Sequence, residues 1–346
     1  MPPERPIFIA TRGSALALTQ ANTVLAQCRA AFPRLAFELK IMKTTGDKML
    51  SASLANPDGA LPKGLFTKEL EVALVKQQAD LAVHSLKDLP TQLPPGLILG
   101  AIGKRADVRD VLIYRDADHL EDLKLKTQNS TVEDWSPGQS QLTGLAPKLT
   151  VKNFPQGATI ATSSTRRQAQ LKELRPDFKF TELRGNIVTR MEKLASSTEI
   201  TATILAMAGL ERLNFRIQPN GRLTGDAVPD GLNATLLETD VMLPCVGQAA
   251  VGIEVRAQDE RIAAICARLN HFNTERCVTA ERAFLTAMGG GCASPVGALA
   301  EFFGHEVRMR AVSYVGGTVR RAHGKRPMKE AQELGEQLAA EIKTAG

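Results

Sequence analysis

Residues Ala79–Pro90 read ADLAVHSLKDLP, a short apolar run that enters an adjacent Lys87–Asp88 pair and is closed by Pro90. Upstream, GLFTKELEVALVKQQ sets Phe66, Leu70, Ala73 and Leu74 at about the spacing of one helical face. The passage predicts helix, strand, loop, and it puts a base and an acid at the end of a strand. In open α/β sheets ligands gather outside the carboxyl ends of strands, so chemistry should be sought where Asp88 sits. A surface ion pair capping the strand accounts for the same two residues, and this passage alone does not separate the two.

Working outward, PIFIAT, the span 12–31 and LAFELKIMK predict strand, helix and strand, with the helical crossover that parallel strands need. KTTGDK follows as a loop, and LILGAIG is a further apolar strand. The chain turns charged from Lys104 to Arg109 before VLIY opens a second set of strands, so a domain crossing is placed there. The second set repeats the alternation: TIAT, a helix from about Ser164, KFTEL, a helix from about Ile187, ATILA and AGLERL. Between His119 and Gln156 the sequence is polar, rich in Ser, Thr, Gln, Pro and Gly, and holds the single tryptophan, Trp135. A flexible insertion without a site is expected there. In LPCVGQAAVGIEVR small residues suit a helix packed closely under a turn. Helices near Arg261–Leu269 and Thr274–Met288, then VGALAEFF, VRMRAVSYV and a helix from about Met328, predict a small α+β domain.

Hydrophobic residues at 43% and charged residues at 23% exclude general disorder. No apolar stretch approaches the roughly 20 residues of a membrane-spanning helix. MPPERPIFIATRGS lacks the apolar core of a signal peptide, so a cytoplasmic protein is expected. The five cysteines show neither zinc spacing nor a disulfide framework, and the five histidines show no metal spacing. His84 is expected to be a strand-end hydrogen bonder rather than a base. A net charge of +6 calls for an anionic partner. One Trp and two Tyr are poor material for stacking bases, which sets nucleic acid behind a small polycarboxylate or phosphate.

ATSSTRRQAQLKEL supplies Ser and Thr caps just before a helix with Arg166 and Arg167 in its first turn. Two cations at the positive end of a helix dipole oppose folding, unless an anion binds there and draws both guanidiniums and the free N–H groups together. A solvated charged face is the competing account. ELRGNIVTRMEKL repeats the pattern with Arg184 and Arg190, and Arg12 and Ser14 occupy the matching turn of the first unit. Several basic turns favour a ligand with several carboxylates, which arginine grips through its planar fork. AMGGGCASPVG puts Cys292 behind three glycines, a mobile exposed turn that suits a thiol carrying something covalently. A packing cysteine in a turn remains open. Cys28, Cys245, Cys266 and Cys277 are expected to be small buried hydrophobes.

RGSALALTQAN, KTTGD, KGLFTKELEVAL, AVHSLKDLP, ATSSTRRQAQL, LRGNIVTR, ATILAMAGLERL, LPCVGQAAVGIE and GGGCASPVG follow one another from Arg12 to Gly297 and together resemble the porphobilinogen deaminase (hydroxymethylbilane synthase) family. The resemblance implies an α/β protein of three domains, the first two like periplasmic binding proteins with the active cleft between them. These are expected at 1–105 with a return segment at 235–258, at 106–234 with a flexible insertion at 126–153, and at 259–346 as the α+β domain carrying Cys292.

The resemblance further implies a monomeric, cytoplasmic transferase of porphyrin and heme biosynthesis, acting on porphobilinogen without metal, nucleic acid or membrane. A dipyrromethane cofactor would be held on Cys292 through a thioether. Four porphobilinogen units would be added with loss of ammonia each time, and water would release the linear tetrapyrrole. By matching motifs, Asp88 would be the catalytic carboxylate. Lys63, Ser85, Lys87, Thr162, Ser164, Arg166, Arg167 and Arg184 would cradle the cofactor, and Arg12, Ser14, Arg190 and Arg212 would bind substrate carboxylates. The chain departs from the family at Ala249, where glycine usually follows the VGQ triplet, and at Ala195, where aspartate is common. The alternative from another class is a binding module of the same architecture that grips a polycarboxylate without chemistry, since fold does not fix function. Asp88 and a thiol on a glycine turn weigh against it.

Overall fold

The computed structural model describes residues 5–44, 67–129, 142–291 and 294–344. The expectations for Lys63, Trp135 and Cys292 therefore fall outside the described residues. The chain forms two compact units, Met1–Asp107 with Pro244–Gly346, and Val108–Leu243.

In the first unit β1 (Ile7–Arg12), α1 (Ala15–Ala31) and β2 (Phe37–Met42) form the expected crossover, with β1 and β2 parallel from Ile7↔Phe37 to Arg12↔Met42. Ser14 caps α1, its Oγ accepting from the Ala17 amide at 3.3 Å. One face of α1 buries Ala21, Val24, Leu25 and Cys28 against Ile7, Ile9, Leu81 and Val83. The other face of the sheet is covered by α2 (Lys68–Val75), whose Leu70, Ala73 and Leu74 meet Ala10 and Ala82. Next come β3 (Leu81–Ser85), a single 3-10 turn at Leu86–Asp88, and β4 (Leu97–Ile102).

The sheet order is β2-β1-β3-β12-β4, where β12 (Val251–Arg256) enters antiparallel to both neighbours. GIEVR is thus part of a strand, not of a helix under a turn. Val251, Ile253 and Val255 alternate with Gly252 and Glu254, the period of two that a strand requires. The small residue has a strand's reason as well: a Cβ on Gly252 would stand 2.8 Å from Leu86 Cδ1.

The second unit repeats the plan. Its strands are β5 (Asp110–Arg115), β6 (Thr159–Ala161), β7 (Lys179–Thr181), β8 (Ala202–Ala206) and β11 (Leu232–Leu237), in the order β11-β5-β8-β6-β7. The trio β7, β6 and β8 is parallel, and β5 runs against it. The helices are α3 (Ala117–Asn129), α4 (Thr165–Leu174), α5 (Ile187–Ser196) and α6 (Met207–Arg212), with a short β9–β10 hairpin (Arg216–Ile217, Leu223–Thr224) after them. Because β11 pairs with β5 along its whole length, residues 235–243 belong to this unit, and the return to the first falls after Leu243 rather than at 235.

The expected flexible insertion at 126–153 is corrected on both sides. Residues 126–129 continue α3, and from Leu142 onward the chain is part of the core, with Leu142, Val151 and Phe154 buried. Arginines satisfy its backbone: Arg115 donates to the Thr143 carbonyl, and Arg175 to those of Val151, Lys152, Phe154 and Pro155. Here the apolar residues follow neither a 2 nor a 3.6 period, so the polar background dominates the sequence pattern.

Residues Glu260–Leu269 form α7 and Phe272–Ala287 form α8. Three antiparallel strands, β13 (Val296–Phe303), β14 (Glu306–Ser313) and β15 (Arg320–Pro327), then α9 (Ala331–Thr344), build the α+β part with its own core around Phe284, Met309 and Leu338. Within α8 the buried Glu281 accepts four hydrogen bonds: from Arg105 Nη1 and Nη2 at 2.6 and 3.0 Å, and from the Gly247 and Ala300 amides at 2.8 and 2.9 Å. A buried carboxylate so fully occupied ties the segment after β4, the turn before β12 and β13 to one helix.

Candidate functional site

In the first unit the predicted residues gather at the carboxyl ends of β1 and β3. Arg12 ends β1 and Ser14 follows as the cap of α1, while Ser85 ends β3 with its Oγ 2.9 Å from Nε2 of the buried Gln20. Lys87 is half-buried and Asp88 exposed on the turn beyond. That turn is held from three sides. The Leu86 amide donates to the Ala250 carbonyl at 3.0 Å, the Leu89 amide to the Leu86 carbonyl at 3.2 Å, and Arg282 of α8 to the Leu89 and Pro90 carbonyls at 3.2 and 2.6 Å. Among the described residues the Asp88 carboxylate has no ion-pair or hydrogen-bond partner, Lys87 included. An open carboxylate on an anchored turn is available to a ligand's N–H groups or to a cation.

Ala249, the departure noted in the sequence, lies in the turn that meets Leu86 and has φ +70°. An L-residue in the left-handed region costs roughly 1–2 kcal/mol that glycine avoids. Ala249→Gly should therefore raise stability by about 1 kcal/mol, read as an upward shift of the denaturation midpoint. A fall would mean that the Ala249 methyl contributes more by packing than its backbone costs.

In the second unit the predicted residues gather at the carboxyl ends of β6 and β7. Thr162 Oγ1 accepts from the Ser164 amide at 3.2 Å, and Ser164 Oγ caps α4 by accepting from the Arg167 amide at 3.4 Å. Arg166 and Arg167 are buried, and both reach Asp110 at the start of β5: Arg166 Nη2 to Oδ2 at 2.9 Å, Arg167 Nη2 to Oδ1 at 2.8 Å. Their Nη1 groups donate to the Leu243 carbonyl at 2.6 Å and the Ile204 carbonyl at 2.8 Å. Burial alone would push Asp110 upward, but the two guanidiniums overcome it and hold the carboxyl well below its usual range. The helix-dipole conflict that suggested a bound anion thus has an internal counter-charge. Two guanidiniums against one carboxylate still leave positive charge in excess, and among the described residues the buried Nε of Arg167 lacks a hydrogen-bond partner.

Arg184 and Arg190 flank the corner after β7. Arg184 is exposed and pairs with Glu182 at 3.0 Å, Arg190 Nε donates to the Gly185 carbonyl at 2.9 Å, and Asn186 caps α5 through the Thr189 amide at 2.9 Å. Arg212 lies apart from them, at the far end of α6 from the strand that precedes it, where burial pulls its guanidinium pKa down. Two buried guanidiniums, an exposed arginine and hydroxyl caps form a donor set whose chemistry fits a ligand bearing several carboxylates.

Gln20, Arg282 and Asp110 were not singled out in the sequence. Gln20 follows Ser14 by six residues on a helix that buries it, a polar interruption of an apolar face that could have been noticed. Asp110 and Arg282 carry no local signal, because their partners lie 57 and 193 residues away at the widest.

The second unit thus carries anchored arginines at the ends of its strands, and the first carries an exposed carboxylate on the turn after β3. Comparison with known proteins makes this specific. The family model described as "Porphobilinogen deaminase, dipyromethane cofactor binding domain" matches residues 7–264, and "Porphobilinogen deaminase, C-terminal domain" matches 275–344. The porphobilinogen deaminase of Chlorobium limicola is 39% identical over 349 residues, covering 99% of this chain and 96% of that protein. That of Desulforamulus reducens is 38% identical over 342 residues, covering 98% and 95%. Among solved structures, the BenM effector binding domain with benzoate aligns at TM-score 0.39 and 16% identity, over 77% of this chain and 90% of that one, too distant to bear on function. The chain belongs to the porphobilinogen deaminase family, and it contains that family's dipyrromethane cofactor-binding domain.

Proposed function

We propose that the protein is a transferase that joins four porphobilinogen molecules head to tail, loses one ammonia per condensation, and releases the linear tetrapyrrole hydroxymethylbilane by hydrolysis. The observation that carries this is the Asp88 carboxylate, on an anchored turn and without a partner among the described residues, in a chain whose residues 7–264 match the cofactor-binding domain. Cys292 holds the dipyrromethane through a thioether. When bound, the dipyrromethane supplies the pyrrole terminus on which the chain is built.

Lys63, Ser85, Lys87, Thr162, Ser164, Arg166, Arg167 and Arg184 hold its acetates and propionates, and Arg12, Ser14, Arg190 and Arg212 receive those of the incoming substrate. Asp88 stabilises the azafulvenium cation left when the amino group of the substrate's aminomethyl arm departs as ammonia and its methylene carbon stays behind, and it accepts hydrogen bonds from pyrrole N–H groups. Serving charge that develops in the reaction requires a carboxylate whose lone pairs are not already taken. We place the protein in the cytoplasm as a monomer. Among the described residues no helix is long and apolar enough to cross a membrane.

An intact-mass measurement tests the reading. Protein made in cells that produce porphobilinogen should exceed its sequence mass by one dipyrromethane, and Cys292→Ser should lack the addition. An unmodified wild-type mass sinks the carrier role of Cys292.

A further inference from the structure

One residue before Ser85, the buried His84 and Glu254 face each other with His84 Nε2 3.0 Å from Glu254 Oε2, their side chains 4% and 0% exposed. The contact lacks hydrogen-bond alignment: His84 Nε2 and both Glu254 oxygens have no hydrogen-bond partner among the described residues. Glu281, equally buried, is fully occupied by four donors. A buried pair with unused hydrogen-bonding capacity is a poor source of stability, and apolar residues of like size commonly serve as well or better. Its setting offers another reason to keep it.

Glu254 stands at a register shift. Between β12 and β4 the pairing runs Gly252↔Ile102, Ile253↔Ala101, then Glu254↔Leu99, so Gly100 is passed over. An extra residue on one side weakens the specification of register there, and β12 must be fixed by its other neighbour. Against β3 the pairing is unshifted, from Val251↔Ser85 through Gly252↔His84 to Glu254↔Ala82. His84 and Glu254 are diagonal neighbours on one face in this register. A slip of one residue would turn Glu254 to the face now lined by Ile7, Ile9, Leu81 and Val83, and would turn Ile253 and Val255 away from it. The same register sets Gly252 beneath Leu86 and brings the Ala250 carbonyl to the Leu86 amide, so it fixes the turn that carries Lys87 and Asp88.

We propose that His84 and Glu254 are positioning residues, a buried polar pair that locks the register of β12 on β3 and thereby sets where the Leu86–Asp88 turn presents Asp88. The inference rests on the assignment of Asp88 to the reaction. The test compares His84→Gln, Glu254→Gln and the double variant His84→Leu/Glu254→Met with wild type, with Asp88→Asn alongside. Melting temperature, kcat, KM and amide exchange are measured on each.

A register lock predicts that the double variant melts no lower than either single variant. Its kcat should nevertheless stay roughly 10- to 100-fold below wild type with KM little changed, as for a misplaced catalytic group. Exchange should quicken at Val83–Leu86 but not at Ile7–Ile9 of the same sheet. Wild-type kcat in the double variant, or exchange that rises evenly across the sheet, overturns the proposal and leaves the pair a packing feature. Should the double variant not fold, Glu254→Gln alone decides by whether its faster exchange is local or even. Retained turnover in Asp88→Asn would instead remove the assignment of Asp88, while the exchange pattern still judges the lock.

Discussion

Asp88→Asn should lower turnover by ~10² to 10⁴, the range typical of losing a positioned ionisable group, with the melting temperature unchanged. The two halves of this expectation come from the same observation. The side chain is exposed and no described residue bonds to it, so the fold draws nothing from its charge, and surface substitutions of that kind shift stability by no more than about 0.5 kcal/mol. The turn beneath it is held by the Leu86 amide and by Arg282, neither of which uses the Asp88 carboxylate, so the amide analogue should occupy the same place. Only the negative charge is removed, and only a step that develops positive charge nearby should respond. Asparagine with near wild-type turnover would return Asp88 to an ordinary solvated residue at a strand end. A large fall in melting temperature would show that the carboxylate has a structural partner.

The sequence pattern reveals what depends on neighbours in the chain. The apolar run before Lys87, closed by Pro90, marks β3 and its turn, and Ser14, Ser164 and Asn186 mark helix starts because a cap needs only a hydroxyl or amide one residue before the helix. What stayed hidden depends on distant partners. The alternation of β12 is only six residues long and follows a run of small residues, and its Gly252 makes sense only beneath Leu86. The segment after Leu142 looks like a loop because its carbonyls are satisfied by Arg115 and Arg175 rather than by a ladder with a period. Arg166 and Arg167 show the limit most plainly. Their place on a helix start was legible, yet the carboxylate that makes the place tolerable belongs to a strand more than fifty residues earlier.

Asp110→Asn should therefore be among the most destabilising single substitutions in the second unit, costing roughly 3–5 kcal/mol and lowering the melting temperature by on the order of 10 °C. The loss is greater than that of one ion pair, because Arg166 and Arg167 are both buried and both would lose the charge that Asp110 sets against them. Asparagine retains one acceptor oxygen but presents an amide to the second guanidinium, donor against donor.

The pH dependence gives a second measure with a definite sign. Folding holds the Asp110 carboxyl below its ordinary value, so its contribution to stability is full above the unfolded carboxylate pKa of about 3.9 and is lost as pH falls through the lower folded value. Asparagine has no such proton to take up. The stability gap between wild type and variant should be widest near neutral pH and should close as the solution is acidified below about 3.9. A gap that stays constant into acid would mean that the two arginines are held by their carbonyl partners alone, Leu243 and Ile204, and that Asp110 serves only to fill space between them.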